Sequence, residues 1–236
     1  MAKSYERRRP DYPAELVDWI VEQLGIGPGK VVVDLAAGTG KLTRQLVSTG
    51  AEIVAIEPLD EMRAQLEAVL PGVRALRATA EELPLADASA DAVTIAAAIH
   101  WFDLDRALPE LHRVVKSGGA LGILSPGRDL DDPLQQAVQE IVGEHLPDDA
   151  DFGAWREEIE ASGLFRLGEP RSVSYDQLLD AEGMAERIAT ISHIARLPDD
   201  VRGPLLERVR ALGEAQPESP FRFRYRVEGT ICHRID

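Results

Sequence analysis

Hydrophobic positions along the chain keep two rhythms. Val17, Ile20, Val21 and Leu24 recur at helical spacing, and Gly25-Ile26-Gly27-Pro28-Gly29 ends that helix. Val31 to Leu35 is a short β-branched run and reads as a strand; after the turn Ala36-Ala37-Gly38-Thr39-Gly40, Leu42, Leu46 and Val47 mark a helix that Gly50 closes. The alternation continues. Glu52 to Glu57 predicts a strand, Met62, Leu66, Val69 and Leu70 a helix, Val73 to Ala78 and Ala92 to Ala98 two further strands. A helix carrying Leu108, Leu111, Val114 and Val115 leads through Gly118-Gly119 to the strand Ala120 to Leu124. Strands joined through helices need crossover connections, which build a parallel sheet covered on both faces, a doubly wound α/β fold.

From Pro133 the rhythm changes. Helices are expected over Leu134 to His145 and Phe152 to Ala161, a strand around Val173, and helices over Met184 to Ile194 and Val201 to Leu212, the last stopped by Gly213. The segment FRFRYRVEG alternates apolar with charged residues and predicts an antiparallel strand with one buried face. One domain over 1–236 accommodates this: a cover segment and helix at 1–29, a ligand-binding core at 30–126, and a C-terminal half at 127–236 with a helical insert at about 176–216.

The formal charge of −15 repels phosphate backbones, and the basic clusters are confined to Arg7-Arg8-Arg9 and the arginines of FRFRYR. No nucleic-acid partner is expected; a small molecule is. The longest apolar run, Ala92 to Ile99, is broken by Thr94 and is too short to span a bilayer. MAKSYERRRPDYP has neither an apolar core nor a cleavage site, which predicts no membrane association and a cytoplasmic location. Cys232 is the single cysteine, so no internal disulfide is possible and no metal site is expected. The chain is read as a monomer or homodimer.

In a doubly wound sheet the ligand lies beyond the carboxyl ends of the strands. Ala36 to Gly40 stands at such an end, where small residues admit a ligand close to the backbone. The third glycine of a dinucleotide fingerprint is replaced by Thr43. Asp34, at the end of the first strand, suits a cationic ligand better than a pyrophosphate, its alternative being a local cap or turn. Glu57, at the end of the second, has two oxygens that can accept from both ribose hydroxyls, or is a solvated strand end.

Together VVVDLAAGTG, VAIEPLDEM, ATAEELPLADASADAV, AAIHWFD and LHRVVKSGGALGIL resemble the class I S-adenosylmethionine-dependent methyltransferases, in their small-molecule branch similar to ubiquinone/menaquinone and trans-aconitate methyltransferases. The resemblance implies a Rossmann-like, mostly parallel seven-stranded sheet with an antiparallel C-terminal strand and a helical insert over the acceptor. It implies methyl transfer by in-line displacement from S-adenosylmethionine, leaving S-adenosylhomocysteine. On this resemblance Ala36, Gly38 and Gly40 lie against the methionine part, with Asp34 nearby; Glu57 holds the ribose; Pro58, Leu59 and Met62 flank the adenine; Ala80 and Glu81 meet its edge; Ala97 backs the sulfonium. Thr79 stands where the family often has Asp. Tyr5, Arg9 and Tyr12 fall in a segment that closes over the cofactor carboxylate, or in a tethering linker.

His100 is the candidate base, its unperturbed pKa being close to neutrality, or else it packs against the carboxylate end of the cofactor. Trp101 and Phe102 are expected to wall the acceptor pocket. His193 falls where similar enzymes often have an acceptor-lining Tyr, with a solvent-facing role as the alternative. A carboxylate acceptor would need cations, for which Arg187, Arg196 and the FRFRYR arginines are available; a solvent face balancing an acidic protein is the preferred reading of that strand. The rivals are an NAD(P)-dependent oxidoreductase, a non-catalytic S-adenosylmethionine-binding protein, and a nucleic-acid methyltransferase.

Overall fold

The computed structural model describes residues 11–145 and 153–236. In chain order the first half comprises α1 (Ala14–Gln23), β1 (Val31–Leu35), α2 (Lys41–Val47), β2 (Glu52–Ile56), α3 (Asp60–Val69), β3 (Arg74–Leu76), β4 (Ala90–Ala96), a 3-10 turn (Ile99–Trp101) and α4 (Leu104–Val114), leading into β5 (Val115–Arg128). The second half comprises α5 (Pro133–Gly143), α6 (Trp155–Ser162), β6 (Phe165–Leu167), β7 (Arg171–Leu179), α7 (Ala181–Ala189), α8 (Ser192–Ala195), α9 (Asp199–Glu214) and β8 (Phe221–Arg234).

The strands form one sheet in the order β3-β2-β1-β4-β5-β8-β6, with β7 also paired to β8. Strands β1 to β5 run parallel to one another, and β8 is antiparallel to β5, β6 and β7. The sheet holds eight strand segments rather than seven. The extra segment arises because β6 pairs with residues 232–234 of β8 and β7 with residues 221–229.

Because successive side chains of a strand point to opposite faces, β1 feeds two cores at once. Val33 and Leu35 enter the cluster under α4 and α6, whereas Val32 enters the cluster with α1 and α2. A third cluster joins α5, α7 and α9 to Phe221, Phe223 and Tyr225 of β8. That strand therefore buries one face and exposes Arg222 and Arg224, as its alternation predicts.

Several expected boundaries differ, and the expected helix start at Phe152 lies outside the described residues. Val115 belongs to β5 rather than to the preceding helix. The helix expected over Met184 to Ile194 is two, because the Thr190 hydroxyl donates to the Arg187 carbonyl at 2.7 Å and Ile191 turns extended. Gly213 does not stop α9, which runs on to Glu214; the glycine instead allows α9 to meet α7, where an added Cβ would lie 2.7 Å from the Ala181 Cα. Among the described residues no helix is long and apolar enough to cross a membrane.

Candidate active site

The chain leaves β1 toward β2 on one side, while β4 lies on the other. The strand order reverses there, which opens a crevice at the carboxyl ends of β1 and β4. Two alanines mark this crevice with left-handed backbone, Ala36 (φ 54°) after β1 and Ala97 (φ 58°) after β4. Such conformations are unfavourable without glycine and concentrate at functional sites. Gly38 and Gly40 also have positive φ, with different consequences. A Cβ on Gly38 would meet no atom within 4 Å, whereas one on Gly40 would press on Leu66 Cγ at 3.0 Å and Leu70 Cδ1 at 3.1 Å. Gly38 thus faces open space; Gly40 serves the packing of α3.

Glu57 and Asp34 are both buried beside this turn. Glu57 accepts from the Gly38 N–H through Oε2 at 2.8 Å and from the Leu59 N–H through Oε1 at 2.9 Å. An ionised carboxylate has about four lone-pair sites, so each oxygen can accept once more. Asp34 accepts from Thr43 Oγ1 at 2.5 Å and Thr94 Oγ1 at 2.9 Å, bonds that tie the first turn of α2 to β1 and β4. Burial raises its pKa to about 6 against the lowering effect of both hydroxyls, and the Glu57 charge raises it further. Thr43 is therefore more than an absent glycine.

The cavity at this crevice is lined by Tyr12, Asp34, Ala36, Ala37, Gly38, Thr39, Lys41, Leu42, Ala96, Pro126, Tyr175 and Arg187. Four residues singled out from sequence as cofactor contacts meet here: Tyr12, Asp34, Ala36 and Gly38. Tyr12 is fixed by its backbone, which exchanges hydrogen bonds with the Gln45 side chain at 3.2 and 2.8 Å. Tyr5 and Arg9 lie outside the described residues. Pro58, Leu59 and Met62 form the shoulder between β2 and α3, where Leu59 is 61% exposed and offers an apolar face.

Ala80 is 2% exposed, with its side chain packed in the core. The partly buried Glu81 accepts from the Asp103 N–H at 3.0 Å, and its carboxyl lies below the usual range because Thr79 and that N–H outweigh desolvation. Its contact is with the start of α4. Phe102 packs against the core, while Trp101 is 51% exposed, with the Arg196 guanidinium 5.0 Å from its ring. His100 is exposed on the 3-10 turn, its ring 4.9 Å from that of Trp101. His193 is partly buried, and burial together with the Arg128 charge depresses its pKa, favouring neutral imidazole.

Sequence reasoning missed Lys41, Leu42, Ala96, Pro126 and Tyr175 as cavity residues. Thr94 carried a signal, as the polar break in an apolar strand. Pro126 and Tyr175 carried none, since Pro126 on β5 and Tyr175 on β7 are brought together only by the pairing of both strands with β8.

Comparison with known proteins agrees with this fold. A family model described as a methyltransferase domain matches residues 33–123. An uncharacterized methyltransferase of Mycobacterium tuberculosis (strain H37Rv) is 38% identical over 214 residues, 91% of this chain and 84% of the relative. An uncharacterized methyltransferase-like protein of Schizosaccharomyces pombe is 31% identical over 199 residues, 83% of this chain and 77% of its own length. In fold, the chain is similar to geranyl diphosphate C-methyltransferase from Streptomyces coelicolor, with a TM-score of 0.57 at 13% identity over 94% of this chain and 79% of that one. It is also similar to the [4+2]-cyclase SpnF, with a TM-score of 0.60 at 19% identity over 97% and 85% of the two chains. Two different reactions on one scaffold mean that those likenesses establish the fold only. The close relatives and the matched domain carry the assignment: this chain belongs to the class I, S-adenosylmethionine-dependent methyltransferases.

Proposed function

We propose that the chain methylates a small organic acceptor, with the cofactor seated on the β1 turn and the acceptor entering under β7 and α7. The observation that carries this reading is the continuity of the cavity from Gly38 to Tyr175 and Arg187. A crevice roofed by the C-terminal half suits a compact molecule better than a polymer, and the charge of −15 argues in the same direction. A cytoplasmic site of action fits a buried, reduced Cys232.

The residues fit the cofactor. The space beside Gly38 admits a ligand against backbone, and Glu57 keeps acceptor capacity for the ribose hydroxyls. Pro58, Leu59 and Met62 supply an apolar shoulder for the adenine, while Tyr12 closes the methionine end. The negative charge of Asp34 favours a cationic ligand next to it. When bound, S-adenosylmethionine supplies an electrophilic methyl group on a sulfonium sulfur. Alignment and exclusion of water are then the main contributions of the protein, and Ala97 holds the backbone after β4 through its N–H bond to the Leu124 carbonyl at 2.8 Å. His100, beyond Ala97, takes the proton of an alcohol or phenol acceptor.

Thermal unfolding with S-adenosylhomocysteine tests the cofactor site. Ligand at 100 times its dissociation constant adds about 2.7 kcal/mol, roughly 5 to 10 °C at this length. Methyl transfer from labelled S-adenosylmethionine is then offered to small-molecule pools, RNA and protein. Label in the small-molecule pool is the expected result; label confined to the polymers would overturn the reading. His100→Ala is expected to lower turnover by about 100-fold or more with cofactor affinity unchanged, and an equal loss of both would return it to a binding role.

A further inference from the structure

We propose that the acceptor is recognised by a carboxylate held between the guanidinium groups of Arg187 and Arg128, a site that rests on the small-molecule reading and specifies its substrate class. Arg187 is 7% exposed and lines the cavity. Its Nε is buried without a hydrogen-bond partner, its Nη1 donates to Thr190 Oγ1 at a long 3.3 Å, and its guanidinium lies 5.0 Å from the Tyr225 ring centre. Tyr225 is the register partner of Arg128 on β5 and of Tyr175 on β7. Paired residues of antiparallel strands share a face, so Arg128, Tyr225 and Tyr175 form one row across three strands beneath Arg187.

Arg128 is partly buried and, among the described residues, donates only to the neutral Gln135 Oε1, at 3.3 Å. Among the described residues neither arginine has a carboxylate within ion-pair distance. Scarcity of acid is not the reason, because the chain has 41 Asp and Glu. On the opposite face of β8, Arg224 pairs with Asp176 at 3.0 Å and Arg226 with Asp129 at 2.8 Å. The arginines on that face are thus matched with acids, whereas Arg128 and Arg187 are not. Two desolvated cations within each other's field are costly unless something supplies the missing charge. Burial brings the Arg128 pKa down to about 10, and the Arg187 charge lowers it further, although Tyr225 opposes this. A carboxylate relieves both, and its two oxygens match the parallel N–H groups of a guanidinium fork. The stacked Tyr175 and Tyr225 rings, 5.6 Å apart, offer a flat apolar wall for the rest of the molecule.

The probes are succinate, benzoate and octanoate with their carboxamides, titrated by calorimetry into the protein saturated with S-adenosylhomocysteine. At least one acid is expected to bind where its amide does not. Arg187→Gln and Arg128→Gln are each expected to weaken that acid by about tenfold or more, leaving S-adenosylhomocysteine affinity within about twofold. Should Arg187→Gln fail to fold, Arg128→Gln and the charge-retaining Arg187→Lys carry the same comparison. Acids binding no better than amides would overturn the site. So would a loss of S-adenosylhomocysteine affinity in the Arg187 variants, since the anion held would then be the cofactor's own carboxylate. Transfer of label to neutral small molecules alone would remove the carboxylate anchor while the small-molecule reading stood; transfer to polymers alone would remove that reading and the anchor with it.

Discussion

Among the described residues no cation pairs with Asp34, which depends on two threonine hydroxyls and the Thr43 N–H, and its pKa of about 6 records how incompletely they replace water. Folding raises this pKa, so the stabilising contribution is complete below about pH 4 and is lost as pH rises through about 6, a difference of roughly 3 kcal/mol. Asp34→Asn is accordingly expected to raise stability by about 1 to 3 kcal/mol at pH 7.5 with little change at pH 4, as read by urea unfolding at the two values. It should also weaken S-adenosylmethionine more than the uncharged-sulfur product, which competition binding measures. Glu57→Ala removes a charged acceptor and releases two N–H groups, so the cofactor should bind more weakly by about 1.5 to 3 kcal/mol; unchanged calorimetric affinity in a folded variant would remove it from the ribose site. The acids at the ends of β1 and β2 were legible in the sequence because their place in the strand pattern is local. The threonine clasp was not, since Thr94 lies 60 positions from Asp34 and nothing local announces the contact.

At the scale of the element, the alternating strands and helices of the first half could be read closely, because each is fixed by its own periodicity. Errors gathered where a neighbour decides. Gly213 follows Leu212 as a stop signal would, yet its role is set by Ala181 on another helix. Gly213→Ala tests this directly. Helix propensity would favour alanine by up to about 1 kcal/mol, but its Cβ would lie 2.7 Å from the Ala181 Cα and 2.9 Å from its Cβ. Overpacking against backbone typically costs about 1 to 3 kcal/mol, so the variant should be less stable in urea despite the better helix former. The same reason hid the acceptor side of the site. Tyr175 and Arg187 look like ordinary members of a strand and a helix, and only the pairing of β7 with β8 and the packing of α7 over Tyr225 bring them to the β1 turn.

At the scale of the molecule, β8 joins what the chain otherwise keeps apart. Its first residues complete the cluster with α7 and α9, Val227 and Ile231 complete that with α1, and Cys232 enters the one under α4. Burial pushes the Cys232 thiol up to about 12, with the Arg156 charge opposing, so almost no thiolate is present at neutral pH. Reaction with a disulfide reagent should be slow in the native protein and should accelerate with urea in step with loss of the far-UV signal; faster labelling before that transition would mean that the sheet opens locally at this edge. The position of β8 also orders events during synthesis. Residues 221–234 are translated after every strand they pair with, so a ribosome that has completed α9 carries a chain whose β5 edge is bare and whose three apolar clusters each lack a wall. The cofactor turn is made early, but the sheet that holds it closes late, and aggregation of the growing chain is expected to be greatest in the interval between.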